Sequence, residues 1–90
     1  LKDLEPSPSL IVGRIIALDA QRGSVLIEIG PYNVLPADFA ARRLISRNEA
    51  LSPTATLQSS AYLRGRILGT RLLSGHPDVG DEVVWAPAVP

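Results

Sequence analysis

Leu10-Ile-Val-Gly-Arg-Ile-Ile-Ala-Leu-Asp19, a break at Ala20-Gln-Arg-Gly23, and Ser24-Val-Leu-Ile-Glu-Ile-Gly30 decide how this chain folds. Apolar, largely β-branched residues recur there at two-residue spacing and are cut by turn residues, the pattern of short strands buried on one face. In the second segment Val25, Ile27 and Ile29 point inward while Ser24 and Glu28 point outward. In the first, Leu10, Val12, Ile16 and Leu18 share a face that Arg14 interrupts, and Gly13 sits beside it. A glycine inside a strand marks a bulge or a close backbone approach. With Gly23 available for positive φ, the two segments form a hairpin.

The alternation returns near the other end as Tyr62-Leu-Arg-Gly-Arg-Ile-Leu-Gly-Thr-Arg-Leu-Leu-Ser-Gly75, the turn His76-Pro-Asp-Val-Gly80, and Asp81-Glu-Val-Val-Trp85. Residues 62–74 are expected to form one long strand, bent at Gly65 and Gly69 so that it serves two sides of a barrel. Residues 54–60 alternate Ala55, Leu57 and Ser59 against Thr56 and Gln58. Residues 31–36 read as a loop and 48–53 as a turn. The stretch 37–47 reads two ways: Ala, Arg and Leu after an Asp38 N-cap favour a helix, while alternation of Phe39, Ala41, Arg43 and Ile45 favours a strand. Five or six short strands at this spacing predict an all-β fold, a small SH3-like or OB-like barrel. A short helix over residues 38–46 is the alternative within it.

Ninety residues suit one domain. Its expected limits are 10–85, with 1–9 (Pro6 and Pro8 included) as a linker and 86–90 as a tail. The chain is 46% apolar, and its rings are confined to Tyr32, Phe39, Tyr62 and Trp85. An aliphatic interior of this kind fills a tight barrel. Nine basic and nine acidic residues cancel, so no global field attracts nucleic acid or anionic lipid. The charge is nonetheless segregated: residues 1–40 carry −2, residues 41–77 carry +5, and residues 78–90 carry −3. Absence of Cys excludes disulfides, thiolate nucleophiles and sulfur-ligated zinc. No apolar run approaches the length of a transmembrane segment. With no Met at position 1, the chain is expected to be a mature product or a domain of something longer.

His76, Asp78, Asp81 and Glu82 bring an imidazole and carboxylates close together. Their spacing matches no calcium loop, and Pro77, Gly80 and Asp81 are what a turn before a strand requires. The only His lies in a turn and nothing singles out a Ser as activated, while Asp19, Glu28 and Asp38 fall at strand edges or loop starts. Gly65-Arg-Ile-Leu-Gly69 lacks the spacing of a phosphate-binding loop. No catalytic residue, metal ligand or cofactor is therefore assigned, and the domain is expected not to be an enzyme. The arginines remain. Arg42, Arg43, Arg64, Arg66 and Arg71 form the candidate interaction surface, with Arg47 in the same stretch. A basic barrel face can bind RNA or DNA, but stacking rings are scarce, and Arg64 and Arg66 are expected on one strand face where neighbouring carboxylates would neutralise them.

Val12-Gly-Arg-Ile-Ile, Gly23-Ser-Val-Leu-Ile-Glu-Ile-Gly30, Val34-Leu-Pro-Ala-Asp-Phe39 and Ser74-Gly-His-Pro-Asp-Val-Gly-Asp-Glu-Val-Val84 occur in this order. The series resembles the small C-terminal β-barrel of the bacterial flagellar assembly protein T family and related envelope-protein modules. One departure is Ala37, where the pattern has the Gly of a Gly-Asp turn. The resemblance tips 37–47 toward a strand. It implies a non-catalytic module that assembles or anchors an envelope structure, with a periplasmic or envelope location and a protein partner or parent-chain domains as its contacts. The alternative reading is a nucleic-acid-binding barrel that uses the Arg-rich middle. Metal or ligand binding at His76 and Asp78 is a third.

Overall fold

The computed structural model describes residues 11–31, 33 and 35–86. The expected linker over 1–9 and all but Ala86 of the expected tail lie outside these, as do Leu10, Tyr32 and Val34. Six strands form: β1 (Ile11–Asp19), β2 (Ser24–Ile29), β3 (Arg43–Arg47), β4 (Pro53–Arg64), β5 (Ile67–Gly75) and β6 (Glu82–Trp85). They close into an antiparallel barrel in the order β1-β2-β5-β4-β3-β6, with β6 pairing back onto β1. The all-β barrel read from the alternation is the observed fold, with the larger of the two strand counts.

The interior is aliphatic. Val12, Ile15, Val25, Ile27, Leu44, Leu57, Leu68 and Val83 are almost completely buried. Leu35, Phe39 and Trp85 pack against this core, as do Leu18 and Leu72. In β2 and the first half of β4 the expected faces hold: Val25, Ile27 and Ile29 point inward, as do Ala55, Leu57 and Ser59.

β1 differs from strict alternation. One register shift, against β6, lies between Ile11 and Gly13, and a second, against β2, lies between Ile15 and Ala17. These bulges turn Ile15 inward and leave Ile16 exposed, the reverse of the expected face, and they direct Arg14 outward. Gly13 takes the slot opposite Ile29 and Val83. A side chain there would run into the Glu28 carbonyl, whose carbon lies 2.8 Å from the position a Cβ would occupy. The close approach expected of this glycine is present.

Two further expectations are corrected. Residues 62–74 are not one bent strand. β4 runs through Tyr62 to Arg64, the chain reverses at Gly65 and Arg66, and β5 begins at Ile67. Gly65 has φ +60 at the first turn position, the place where a II′ hairpin turn calls for glycine. Gly69 faces a bulge in β4 around 60–62, and the Tyr62 ring covers it, Cδ1 lying 3.2 Å from where a Cβ would stand. In 37–47, no helix forms among the described residues, and the strand occupies Arg43–Arg47 alone. Residues 37–41 are turns, closed by Phe39 N–H donating to Pro36 O at 3.1 Å. The left-handed residue is Ala41 (φ 69) rather than Ala37, and its N–H is anchored to Ser59 O at 2.7 Å. That long-range bond overrides the local helix preference.

Candidate interaction surface

Closure sorts the charges by strand. Adjacent strands β3, β4 and β5 carry Arg43, Arg47, Arg64 and Arg71 and no carboxylate. The other three, β6, β1 and β2, carry Glu82, Asp19 and Glu28 against Arg14. The basic middle of the sequence has become one half of the barrel wall, and its acidic ends have become the other.

The arginines expected to form one surface have separate environments. Arg42 lies over the Trp85 ring at 4.9 Å and has Asp38 at 3.8 Å. Arg66 sits in the hairpin turn, not on a strand face with Arg64. Its Nε donates to Ile29 O at 3.1 Å and its Nη2 to Gly30 O, so this guanidinium ties the hairpin to the end of β2. Arg47 donates to Glu82 at 2.7 Å, with side chains only 18% and 21% exposed. Arg43, Arg64 and Arg71 remain exposed and make no ion pair among the described residues.

Two outer rows emerge from the register. Glu28, Arg14, Glu82 and Arg47 stand side by side on β2, β1, β6 and β3, alternating in sign. Opposite charges on neighbouring strands attract, so this row is internally compensated. The second row is Arg43, Gln58, Arg71 and Ser24 on β3, β4, β5 and β2. On these four strands it contains cations and amide or hydroxyl groups only, and it ends on β1 at Asp19, opposite Ser24.

The turn rich in acids has a structural role. Asp81 is buried, and its Oδ2 accepts from Thr54 Oγ1 at 2.8 Å and from Asp78 N–H at 3.0 Å. Thr54 in turn shares a 2.6 Å hydrogen bond with buried Ser46. Gly80, at φ +98, donates to Ile15 O at 2.9 Å. The His76 N–H donates to Thr54 O at 2.9 Å, and its side chain is exposed. Among the described residues no three His, Asp or Glu side chains group as metal ligands.

An open groove of about 900 Å³ lies between the β3–β4 and β5–β6 loops, lined at its base by Arg14, Arg47 and Glu82. Leu51 and Val79 line it at 61% and 62% exposure, the most exposed large apolar side chains among the described residues. Ile16, Leu73 and Tyr62 are also exposed, but each belongs to a segment of extra residues where the register shifts. Bulges of this kind curve a closing sheet, which accounts for them. No register shift covers Leu51, Val79 or Leu63, which is 43% exposed and pairs with Leu68 beside the β4–β5 hairpin, and of these Leu51 and Val79 share the groove. Leu51 also holds φ 64, a left-handed conformation that costs a non-glycine residue roughly 1–2 kcal/mol. Asn48 imposes it: its Oδ1 accepts from Ala50 N–H and Ser52 N–H, and its carbonyl accepts from Leu51 N–H at 2.9 Å.

Sequence reasoning passed over this groove because both apolar residues sit in turns. The available signal was an apolar side chain inside an otherwise polar turn, at Asn48-Glu-Ala-Leu51 and again at Pro77-Asp-Val79. Compared with protein families, with curated proteins and with solved structures, the chain has no significant match. Among the described residues no helix is long and apolar enough to cross a membrane.

Proposed function

We propose that this barrel is a non-catalytic protein-interaction module, an assembly part of a larger bacterial envelope-associated protein. The observation that carries the reading is the pairing of Leu51 and Val79 across the open groove. Exposed apolar residues around a concave site mark protein contacts, and a strained backbone held in place by its surroundings points toward function. The mixed charge on the groove floor, with Arg47 and Glu82 already paired, suits a protein partner better than a polyanion. The envelope setting draws on the resemblance in the Gly-Ser-Val and Gly-Asp-Glu-Val segments.

Photo-crosslinking residues placed at positions 51 and 79 test this. The same polypeptide is expected to be captured from both and from neither Arg22 nor Gln21. Once purified, it should bind the intact chain and lose that binding with Leu51→Asp. Salt-sensitive oligonucleotide binding without a common protein adduct would overturn the proposal in favour of the nucleic-acid reading. Leu51→Gly separates strain from contact. It should raise stability by up to about 1 kcal/mol, because glycine accepts this φ, while weakening the partner complex.

A further inference from the structure

We infer that the outer face of β3, β4 and β5 is a docking surface for an acidic segment of a protein partner, centred on Arg43, Gln58 and Arg71. The inference rests on the protein-interaction reading but uses a wall of the barrel rather than the groove at its end.

Three observations converge. The register places Arg43 and Arg71 on either side of Gln58, two strand spacings apart, so their Cα atoms stand about 10 Å from each other. All three strands lack carboxylates, and the closest acid along the row, Asp19 on β1, lies beyond Ser24 with Arg22 at 3.7 Å. Both guanidinium groups are exposed and outside the described ion pairs, whereas Arg42, Arg47 and Arg66 are engaged within the fold.

Charge complementarity selects the occupant. Two guanidinium groups with an amide between them match carboxylates on an extended peptide: each arginine can hold a carboxylate in a bidentate pair, and Gln58, whose Nε2 donates to Ala41 O at 3.3 Å, keeps its Oε1 and second amide hydrogen for the peptide backbone. Nucleic acid fits less well. On one side of the row the outward neighbours Ile45, Thr56 and Ser74 provide no ring for base stacking, and on the other a single ring, Tyr62, lies over Gly69, short of the successive rings that a run of bases stacks on. A second copy fits less well too, because the acidic half spends Glu82 on Arg47 and sets Glu28 beside Arg14.

The test is a titration of the intact, isotopically labelled chain with an alternating Glu-Ser peptide, its Gln-Ser counterpart, and an oligothymidylate of equal formal charge. The acidic peptide should shift the amides of Arg43 and Arg71 and the side-chain amide of Gln58, and added salt should weaken it. Arg43→Glu with Arg71→Glu should reduce affinity on the order of tenfold or more, while Arg64→Glu, at the far end of β4, changes it less than about twofold. If the double reversal disturbs the fold, Arg43→Gln with Arg71→Gln gives the same comparison without added charge. Absence of shifts in the row, equal binding of the Gln-Ser peptide, tighter binding of the oligothymidylate, or concentration-dependent self-association through the row would each overturn the inference. Where the row fails these tests, crosslinking at positions 51 and 79 of the unsubstituted chain shows that only this inference has failed, and its absence shows that the groove reading has failed as well.

Discussion

The two halves of the barrel wall use the same residue type in opposite ways. On β6, β1 and β2, Arg14 stands between Glu28 and Glu82, and the row continues to Arg47, so each charge has an opposite neighbour. On β3, β4 and β5, Arg43 and Arg71 flank a neutral Gln58. Paired charges on adjacent strands serve the sheet. Exposed ones outside any described ion pair contribute little to stability and are free to meet another molecule. A count of arginines therefore says nothing about a binding face until each has been assigned its neighbours.

The halves meet along a seam where the acidic side reaches the basic one, through Asp81 to Thr54 and Glu82 to Arg47. Breaking the buried contact should have the largest effect. Asp81→Ala leaves the Thr54 hydroxyl and the Asp78 amide without their acceptor, and urea denaturation should show a loss of about 2–3 kcal/mol. Glu82→Gln retains the shape but removes the charge beside Arg47, so a loss of about 1 kcal/mol is expected, smaller than for a fully buried pair. Gln58→Glu would sharpen the comparison from the other side by placing a carboxylate between Arg43 and Arg71. Although it gives up the exposed Gln58 Nε2 bond to Ala41 O, it should stabilise the barrel by a few tenths of a kcal/mol, on the order of one cross-strand ion pair, and abolish acidic-peptide binding, readable in one melting curve and one titration. Arg43→Glu with Arg71→Glu should alter stability least, within about 0.5 kcal/mol per site, despite its large effect on binding.

Much of the fold was legible in the chain. The β1–β2 hairpin, the inward faces of β2 and β4, and the closing strand at Glu82–Trp85 follow from local alternation and turn residues. The misreadings fall where local pattern and closure disagree. Ile15 and Ile16 are adjacent and chemically alike, so only the bulge against β2 decides which one enters the core. Gly65 and Gly69 look equivalent in sequence, yet one reverses the chain and the other makes room for Tyr62. The Ala-rich run before Arg43 favours a helix locally and is held in turns by bonds to Ser59, on a strand formed later in the chain.

The candidate site was less legible. Arg42, Arg43, Arg64, Arg66 and Arg71 are one cluster in sequence and several environments in space, because strand neighbours come from distant segments. Arg66 meets carbonyls at 29 and 30, and Arg47 meets an acid 35 residues away. No local pattern encodes such partners.

The sequence by itself determined that this is a small β-structure with an aliphatic interior, a basic middle and acidic ends, because side-chain period and turn chemistry are local properties. Only the tertiary structure decided what those charges do. By seating β6 between β1 and β3, closure joins the acidic ends into one wall, engages Arg47 along the seam, and leaves Arg43 and Arg71 facing outward. Coulomb attraction depends on distance in space, and the barrel rather than the chain sets that distance.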